Sequence, residues 1–276
     1  MSNQFNNPSE IMEISMKGSA NKATLPLGRM ILLGIMAGVF IALGAAASNT
    51  AVHHMENVGL ARTLAGCIFP VGLMMIVFVG GELFTGNCLI SMAVMNKRVK
   101  LWQFIRNLAV VYVSNLAGAL LVVGLLYFSG NFDYSDGLLG AYTIKVMMGK
   151  VAITPVRGIT SGILCNILVC IAIFMATAAR DIAGKVWAIF FPILAFVVAG
   201  FEHCVANMFY IPAGILAAQN PEYVEKAVEA YGMSAEAIQA VHMGDVLQNM
   251  IPVTFGNMIG GICVGAVCYM VYVKNK

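Results

Sequence analysis

The sequence predicts an all-α membrane protein whose six transmembrane helices form two inverted three-helix repeats. The first observation is composition: of 276 residues, 60% are hydrophobic and 11% are charged, whereas a soluble domain carries about 25% charged residues. The second is a series of six long apolar blocks, and the third is a set of short motifs that recur in the same order in both halves. So few charges cannot cover a soluble surface, which excludes a water-soluble enzyme. A net charge of +3 is too small to predict nucleic-acid binding.

The six apolar blocks are each long enough to cross a bilayer core of about 30 Å. Their approximate bounds are 27–48, 63–93, 105–129, 158–179, 186–217 and 248–273. The second and fifth blocks are too long for one helix, and each carries a polar interruption near its middle, which predicts a helix broken within the membrane. We expect residues 1–26 to form a cytoplasmic amphipathic segment, 27–273 the membrane domain and 274–276 a cytoplasmic tail.

Three motif pairs relate the first three blocks to the last three. A glycine pair four residues apart opens block one at 34–38 and block four at 158–162. The interruptions both read Glu, four residues, then Asn, and blocks three and six share Asn-x-x-Gly. Because three spans per copy is an odd number, the second copy must be inverted. Repeats at about 27–129 and 158–273, with paired interruptions, indicate a transport site near the middle of the membrane.

The loop charges predict the orientation. With the N-terminus in the cytoplasm, the inner segments hold eleven Lys and Arg residues and the outer segments five, as the positive-inside bias requires. Both termini are therefore predicted to be cytoplasmic. In the outer loop, 218–247, Pro221 and Gly232 predict a short helix between them. At the other end, Asn7-Pro8-Ser9-Glu10 predicts the start of an amphipathic helix at the inner membrane surface, for which a gating role is an alternative.

Two acids and one histidine lie within the apolar blocks. Glu82 and Glu202 occupy equivalent positions in the two interruptions, with Asn87 and Asn207 five residues beyond them. A charge at membrane depth costs at least about 2.5 kcal/mol, so such residues face the protein interior or a cavity. We expect the two glutamates to be structural, accepting backbone N–H groups that the helix breaks leave free.

His203 differs from the glutamates because its repeat partner is Leu83, so that symmetry does not demand it. An interhelical hydrogen bond is one interpretation; a donor that faces a cavity and titrates near neutral pH is the other. Thr85, in the opposite interruption, offers a hydroxyl. Lys150 would raise the local anion concentration if it lay at a pore mouth.

Three stretches resemble the formate/nitrite transporter family, and the likeness covers all six blocks. They are Val77-Phe78-Val79-Gly80-Gly81-Glu82-Leu83-Phe84-Thr85-Gly86, the run 162–172, and the Phe-Glu-His-x3-Asn-Met-Phe pattern at 201–209. The resemblance implies an aquaporin-like protomer with spans two and five broken, assembled as a homopentamer in the cytoplasmic membrane of a bacterium. It implies a channel without a cofactor or metal, rather than an enzyme, with an anion pore in each protomer.

The resemblance also assigns residues. It places the substrate pathway at His203, Glu202, Thr85, Lys150 and Asn166. It places the pore constrictions at Phe69, Leu73, Leu83, Phe84, Val169 and Phe196. Within the family the chain looks nearest to the hydrosulfide channels of clostridia, which implies hydrosulfide as the anion, with formate or nitrite also possible.

The implied mechanism begins with Lys150 gathering a small monovalent anion in an outer vestibule. Two apolar rings must then strip its water, which costs a bare ion heavily, and His203 between the rings donates a proton or a hydrogen bond. Three alternatives are open: a pore for water or glycerol, a metalloenzyme using Glu202, His203 and Cys204, and a structural scaffold. Adjacent residues of a helix point about 100° apart, which argues against the metalloenzyme.

Overall fold

The computed structural model describes residues 5–274, and these fold almost entirely into helices. The α-helices are α1 (Pro8–Ala23), α2 (Leu27–Val52), α3 (Val58–Ile68), α4 (Val71–Val79), α5 (Phe84–Asn87), α6 (Ile90–Met95), α7 (Leu101–Phe128), α8 (Leu138–Val151), α9 (Pro155–Ala178), α10 (Ile182–Ala199), α11 (Cys204–Ala217), α12 (Pro221–Tyr231), α13 (Ala235–Gln239) and α14 (Met243–Tyr269). A 3-10 turn spans Asn131–Asp133, and a π-helical turn spans Met270–Lys274. The first four residues, and the part of the predicted tail beyond Lys274, lie outside the described residues.

Within the described part of the chain, six helical runs are long and apolar enough to cross a membrane by length and composition. They are Leu27–Val52, Val58–Val79, Leu101–Phe128, Pro155–Ala178, Ile182–Ala199 and Met243–Lys274. Each overlaps one predicted apolar block. Helix α7 begins four residues earlier than block three, because Gln103 accepts the backbone N–H of Lys100 and caps the helix in front of its apolar stretch.

Helical structure stops at both predicted interruptions. Helix α4 ends at Val79 and α5 begins at Phe84, while α10 ends at Ala199 and α11 begins at Cys204. Gly80 and Gly200 terminate α4 and α10 with φ of +104° and +72°, in a region that glycine adopts without strain. Each gap exposes backbone N–H groups in the interior of the protein, which other residues must satisfy.

Helix α1 begins as predicted, in a capping box where the Asn7 side chain accepts the Glu10 N–H and Glu10 accepts that of Asn7. Met12 and Met16 are buried in a cluster with Phe174 of α9 and residues of α6, whereas Ile14 is 47% exposed. Part of the apolar face of α1 therefore packs against protein, and the placement of the helix at the inner membrane surface stays a prediction.

Glycines allow two helix pairs to approach closely, as the GxxxG spacing predicts. In the pair α2 and α7, a Cβ on Gly118 would lie 2.1 Å from the carbonyl oxygen of Ile35. In the pair α9 and α14, a Cβ on Gly260 would lie 2.4 Å from the carbonyl oxygen of Ile163. Since no side chain fits there, each pair is held at backbone contact.

Two shorter helices, α8 and α12, pack against each other. The predicted outer-loop helix is confirmed as α12, which Asn220 caps and Gly232 ends. Helix α8 was not predicted, because its 14 residues are too short for a span and lie between polar turns. Its buried face includes Ile144 and Met147 and packs against α11. This packing places Lys150, near the end of α8, beside the break between α10 and α11.

Candidate functional site

His203 and Thr85 meet across the two helix breaks. The imidazole Nε2 of His203 lies 3.0 Å from the Thr85 hydroxyl oxygen, and His203 Nδ1 accepts the backbone N–H of Ala206 at 3.0 Å. Because a backbone N–H can only donate, Nδ1 must be the acceptor, and the neutral ring carries its proton on Nε2. That proton then points to the Thr85 oxygen, which leaves the Thr85 hydroxyl proton free to donate elsewhere.

A cavity of about 480 Å³ lies on one side of this pair, and we call it the Lys150-side cavity. Three cations and one carboxylate line it: Arg62, Lys145, Lys150 and Glu202. Among its lining residues the rings of Phe69 and Phe196 pack edge to face at 5.5 Å, and Phe196 stacks on the ring of His203 at 5.9 Å. Two of the predicted constriction residues therefore line the same cavity as the histidine.

A second cavity, of about 570 Å³, lies at the other break, and we call it the Lys22-side cavity. Its charged lining is Lys22, Arg29 and Glu82, and its apolar lining includes the predicted constriction residues Leu73 and Leu83. Phe84 and Val169 are buried but belong to the lining of neither cavity as described. Phe84 packs instead edge-on against Tyr112 at 4.9 Å.

Lys150 and Glu202 form a buried ion pair at the first cavity. The Lys150 ammonium lies 2.6 Å from a Glu202 carboxylate oxygen, and the two side chains are 19% and 8% exposed. The Asn207 amide donates to the other carboxylate oxygen at 2.7 Å. Asn249 donates to the backbone carbonyl of Lys150 at 2.9 Å and accepts from Asn207 at 2.8 Å. We call these four residues the Lys150 cluster.

The same four residue types make a matching set of contacts at the second cavity, in what we call the Lys22 cluster, where the Lys22 ammonium also donates to the Asn87 amide oxygen at 3.0 Å. Lys22 lies 3.2 Å from Glu82, and Asn87 donates to Glu82 at 2.6 Å. Asn107 donates to the backbone carbonyl of Lys22 at 3.1 Å and accepts from Asn87 at 2.8 Å. The Lys22 side chain is 38% exposed, so this pair is the wetter of the two.

The predicted role of the glutamates is wrong in one respect: their carboxylates bind side-chain donors and not the backbone of the breaks. Two other asparagines accept those N–H groups. Asn115 accepts from Phe84 N at 3.0 Å, and Asn257 accepts from Cys204 N at 2.8 Å. The two glutamates bind lysine and asparagine side chains instead. The neutral amides of Asn115 and Asn257 suit the backbone of the breaks, because one amide can accept from an N–H and donate to a carbonyl at the same time.

Asn166, like Thr85, lines neither cavity, and its predicted place in the substrate pathway stays a prediction. It is fully buried, and its amide donates to the carbonyl of Thr85 at 3.1 Å and to that of Asn257 at 2.6 Å. Both donor hydrogens are thus used within the protein. Asn166 positions the Thr85 backbone and has no donor left for a substrate.

The comparisons with known proteins bear on the same residues. The profile described as formate/nitrite transporter matches residues 9–271 of this chain. The chain belongs to the formate/nitrite transporter family. It is 34% identical, over the full length of both proteins, to a probable formate transporter of Methanothermobacter thermautotrophicus. It is accordingly a multi-pass membrane protein of an anion-channel family, and not an enzyme.

Solved structures agree with this membership. The transporter resembles a pentameric formate channel with formate bound, with a TM-score of 0.78 and 31% identity over 90% of this chain and 98% of that one. It also resembles the aquaglyceroporin of Plasmodium falciparum, with a TM-score of 0.51 and 13% identity over 91% of this chain and 98% of that one. The second likeness concerns the fold alone, which is aquaporin-like as the sequence predicts.

Sequence reasoning gave no role at the transporter's two breaks to five residues, although two of them open the Asn-x-x-Gly motif that blocks three and six share. The five are Lys22, Asn107, Asn115, Asn249 and Asn257. A signal for four of them is present. The asparagines of α7 are eight residues apart, and so are those of α14. That spacing places both amides on one helix face, two turns apart. Lys22 offers no such signal, since it reads as one of several inner loop charges.

Proposed function

We propose that this transporter conducts the anion of a small weak acid through a pore in each protomer. The route runs from the Lys150-side cavity past Phe69 and Phe196, over the Thr85–His203 pair, and past Leu73 and Leu83 to the Lys22-side cavity. The observation that carries the proposal is the buried Thr85–His203 hydrogen bond at 3.0 Å, with a lysine-bearing cavity on either side.

The electrostatics of this route favour a single negative charge. Cations outnumber carboxylates in the charged lining of each cavity, which raises the local anion concentration. The N-terminus of α11 at His203 adds partial positive charge. Between the cavities the lining is apolar, so a bare anion pays a desolvation penalty that its neutral acid escapes.

His203 acts here as a fixed hydrogen-bond donor through Thr85. Its Nε2–H donates to the Thr85 oxygen, and the Thr85 hydroxyl donates to the passing anion. Protonating the ring would break the cap on Ala206 and leave that N–H unpaired, because Nδ1 would become a donor. A hydrogen-bond role is therefore favoured over the donation of a proton by His203.

The finer architecture belongs to the same proposal. The matched Lys22 and Lys150 clusters support two inverted repeats with spans two and five broken. The bias of eleven inner to five outer cationic residues supports cytoplasmic termini and an outward Lys150-side cavity. A homopentamer in a bacterial cytoplasmic membrane, surrounded by lipid, accords with the pentameric structure that the chain resembles.

Formate is the first candidate anion, because the similar protein is described as a probable formate transporter and the similar structure as a formate channel with formate bound. Hydrosulfide, to which the sequence likeness points, and nitrite share the single charge and small size that the route admits. A pore for water or glycerol is the contrasting hypothesis. An aquaglyceroporin-like fold alone does not favour it, because function resides in the site and not in the fold.

Flux into proteoliposomes tests the proposal. We expect the wild type to conduct formate, and hydrosulfide if that arm of the prediction holds, while glycerol causes no swelling above empty vesicles. His203→Phe should abolish anion flux, because the donor to Thr85 is lost. Swelling in glycerol without anion flux would overturn the proposal in favour of a neutral pore.

A matched variant separates the donor from the helix cap. Asparagine is a strong N-cap residue, so His203→Asn retains a side-chain acceptor for the first turn of α11 but does not supply the ring nitrogen to Thr85. We expect the two variants to differ in stability by about 1 kcal/mol, and both to lack anion flux. Full flux through His203→Asn would show that histidine serves only as a cap.

A further inference from the structure

One face of α3 lines the Lys150-side cavity, and Arg62 is the charged residue on that face. The lining positions are Val58, Ala61, Arg62, Ala65 and, just beyond the helix, Phe69. They recur every three or four residues, as one face of a helix requires. Arg62 is exposed, and it precedes Phe69 by about two helical turns, or roughly 10 Å along the axis. An anion that moves along this wall toward Phe69 therefore passes the guanidinium.

Gly200 leaves room for the Arg62 guanidinium beside the break between α10 and α11. Arg62 Nη1 donates to the carbonyl oxygen of Val198 at 3.2 Å. It thus binds the last turn of α10, where carbonyl groups lack partners within the helix. A Cβ on Gly200 would lie 2.4 Å from the same nitrogen. Any side chain at this position would therefore displace the guanidinium.

The other break has no counterpart of this arginine. Gly80 is equivalent to Gly200, as Glu82 is to Glu202. Among the described residues, nothing lies within 4 Å of a Cβ placed on Gly80. The end of α4 thus forms without a guanidinium beside it. Closing a helix at the break therefore does not explain Arg62.

The three cations of the Lys150-side cavity differ in what they already bind. The Lys150 ammonium pairs with Glu202 at 2.6 Å, and the Lys145 ammonium lies over the ring of Tyr231 at 4.1 Å. The Arg62 guanidinium carries five N–H donors, and its Nη1 binds the end of α10. Within the described part of the chain, its Nε and Nη2 donate to no other group. These two nitrogens form one edge of the planar guanidinium, so a pair of parallel donors is left for a ligand.

We propose that Arg62 is a specificity-determining residue that binds a planar two-oxygen anion, such as a carboxylate, through its Nε and Nη2 edge. The fork of a guanidinium matches the two oxygens of a carboxylate, whereas an ammonium acts as a point charge. An anion with a single acceptor atom, such as hydrosulfide, cannot use both donors in this way. Arg62 thus sets a preference for formate over hydrosulfide. This deepens the proposed function and rests on it.

Anion currents across planar bilayers test this proposal, because the neutral acid carries no current. The measured quantity is the concentration of formate, and separately of hydrosulfide, that gives half of the maximal current. Arg62→Lys keeps the charge and removes the fork. We expect the half-maximal concentration to rise about tenfold for formate and to change less than about twofold for hydrosulfide. Arg62→Gln, which keeps a donor for Val198, should shift the preference in the same direction. It serves as a second variant if lysine disturbs packing, which size-exclusion chromatography reports.

Lys145→Met is the matched control, because it removes a cation from the same cavity but no fork. It should raise the half-maximal concentrations of both anions by the same factor, since the attraction of a point charge does not depend on the shape of the anion. Equal changes for the two anions in Arg62→Lys would overturn the fork and leave only a structural role at the end of α10. An unchanged formate value in both Arg62 variants would overturn the recognition role altogether. A wild type that conducts neither anion would sink the proposed function itself, and this proposal with it.

Discussion

Removal of the Lys150 ammonium tests how strongly the break between α10 and α11 depends on its ion pair. At 2.6 Å, and with an effective dielectric constant of about 20, the direct attraction to Glu202 is about 6 kcal/mol before desolvation. Removing one partner of a buried pair costs about 3–5 kcal/mol, because the remaining charge is unpaired. Asn207 and Asn249 still donate to the Glu202 carboxylate, so we expect the lower end, about 3 kcal/mol.

Thermal unfolding of the purified protein in detergent, followed by loss of the monodisperse chromatographic peak, measures this cost. Lys150→Met should lower the midpoint by roughly 6–12 °C. Adding Glu202→Gln should recover part of that loss, because it removes the uncompensated charge.

The Lys22 cluster supplies the internal control for this prediction. Lys22→Met disturbs the same four residue types, but the Lys22 side chain is 38% exposed and its pair is longer, at 3.2 Å. Solvent screens that pair, so the shift should be clearly smaller than for Lys150→Met. Equal shifts, or a double variant no more stable than Lys150→Met, would refute the reasoning that burial sets the cost.

Two further predictions concern packing and pH. Gly118→Ala should destabilise the protein by about 1–3 kcal/mol, because the added Cβ would lie 2.1 Å from the Ile35 carbonyl oxygen. Gly124→Ala is the control on the same helix: its Cβ meets open space, so it should be neutral or stabilising in the same melting assay. The Arg98 guanidinium holds the pKa of the Glu13 carboxyl below its usual range, so the pair stabilises the docking of α1 above the ordinary carboxyl pKa and loses that contribution as the pH falls through the lowered value. The protection factors of the α1 amides, which are corrected for the intrinsic exchange rate at each pH, should therefore fall at acid pH in the wild type. Glu13→Gln should show the lower protection already at neutral pH, and equal protection in both proteins at neutral pH would contradict the role of this pair.

The sequence predicted the helical segments because hydrophobicity is a local property. Six apolar blocks predicted the six helical runs that are long and apolar enough to cross a membrane, and two polar interruptions marked where α4 and α10 end. The errors lie at helix ends, where capping by residues such as Gln103 extends a helix past its apolar stretch. Helix α8 escaped prediction because its burial is against another helix and not in lipid.

The candidate site was predicted unevenly for the same reason. His203 and Thr85 stand out locally, as polar residues in apolar blocks, and the structure brings them to 3.0 Å. Lys150 and Glu202 were each singled out, but their ion pair was not predicted, because the two residues are 52 positions apart in the sequence. Asn166 was singled out by the resemblance alone, and only the structure shows that its amide donates to the backbone carbonyls of Thr85 and Asn257.

The sequence by itself determined that this is a membrane protein of the formate/nitrite transporter family, with charges reserved for loops and two glutamates at the breaks. Tertiary structure decided which acceptors satisfy the backbone N–H groups of those breaks, since asparagines from α7 and α14 supply them across the helix interface. It also decided the tautomer of His203. Such pairings depend on distances between groups far apart in the chain, which composition and spacing do not specify.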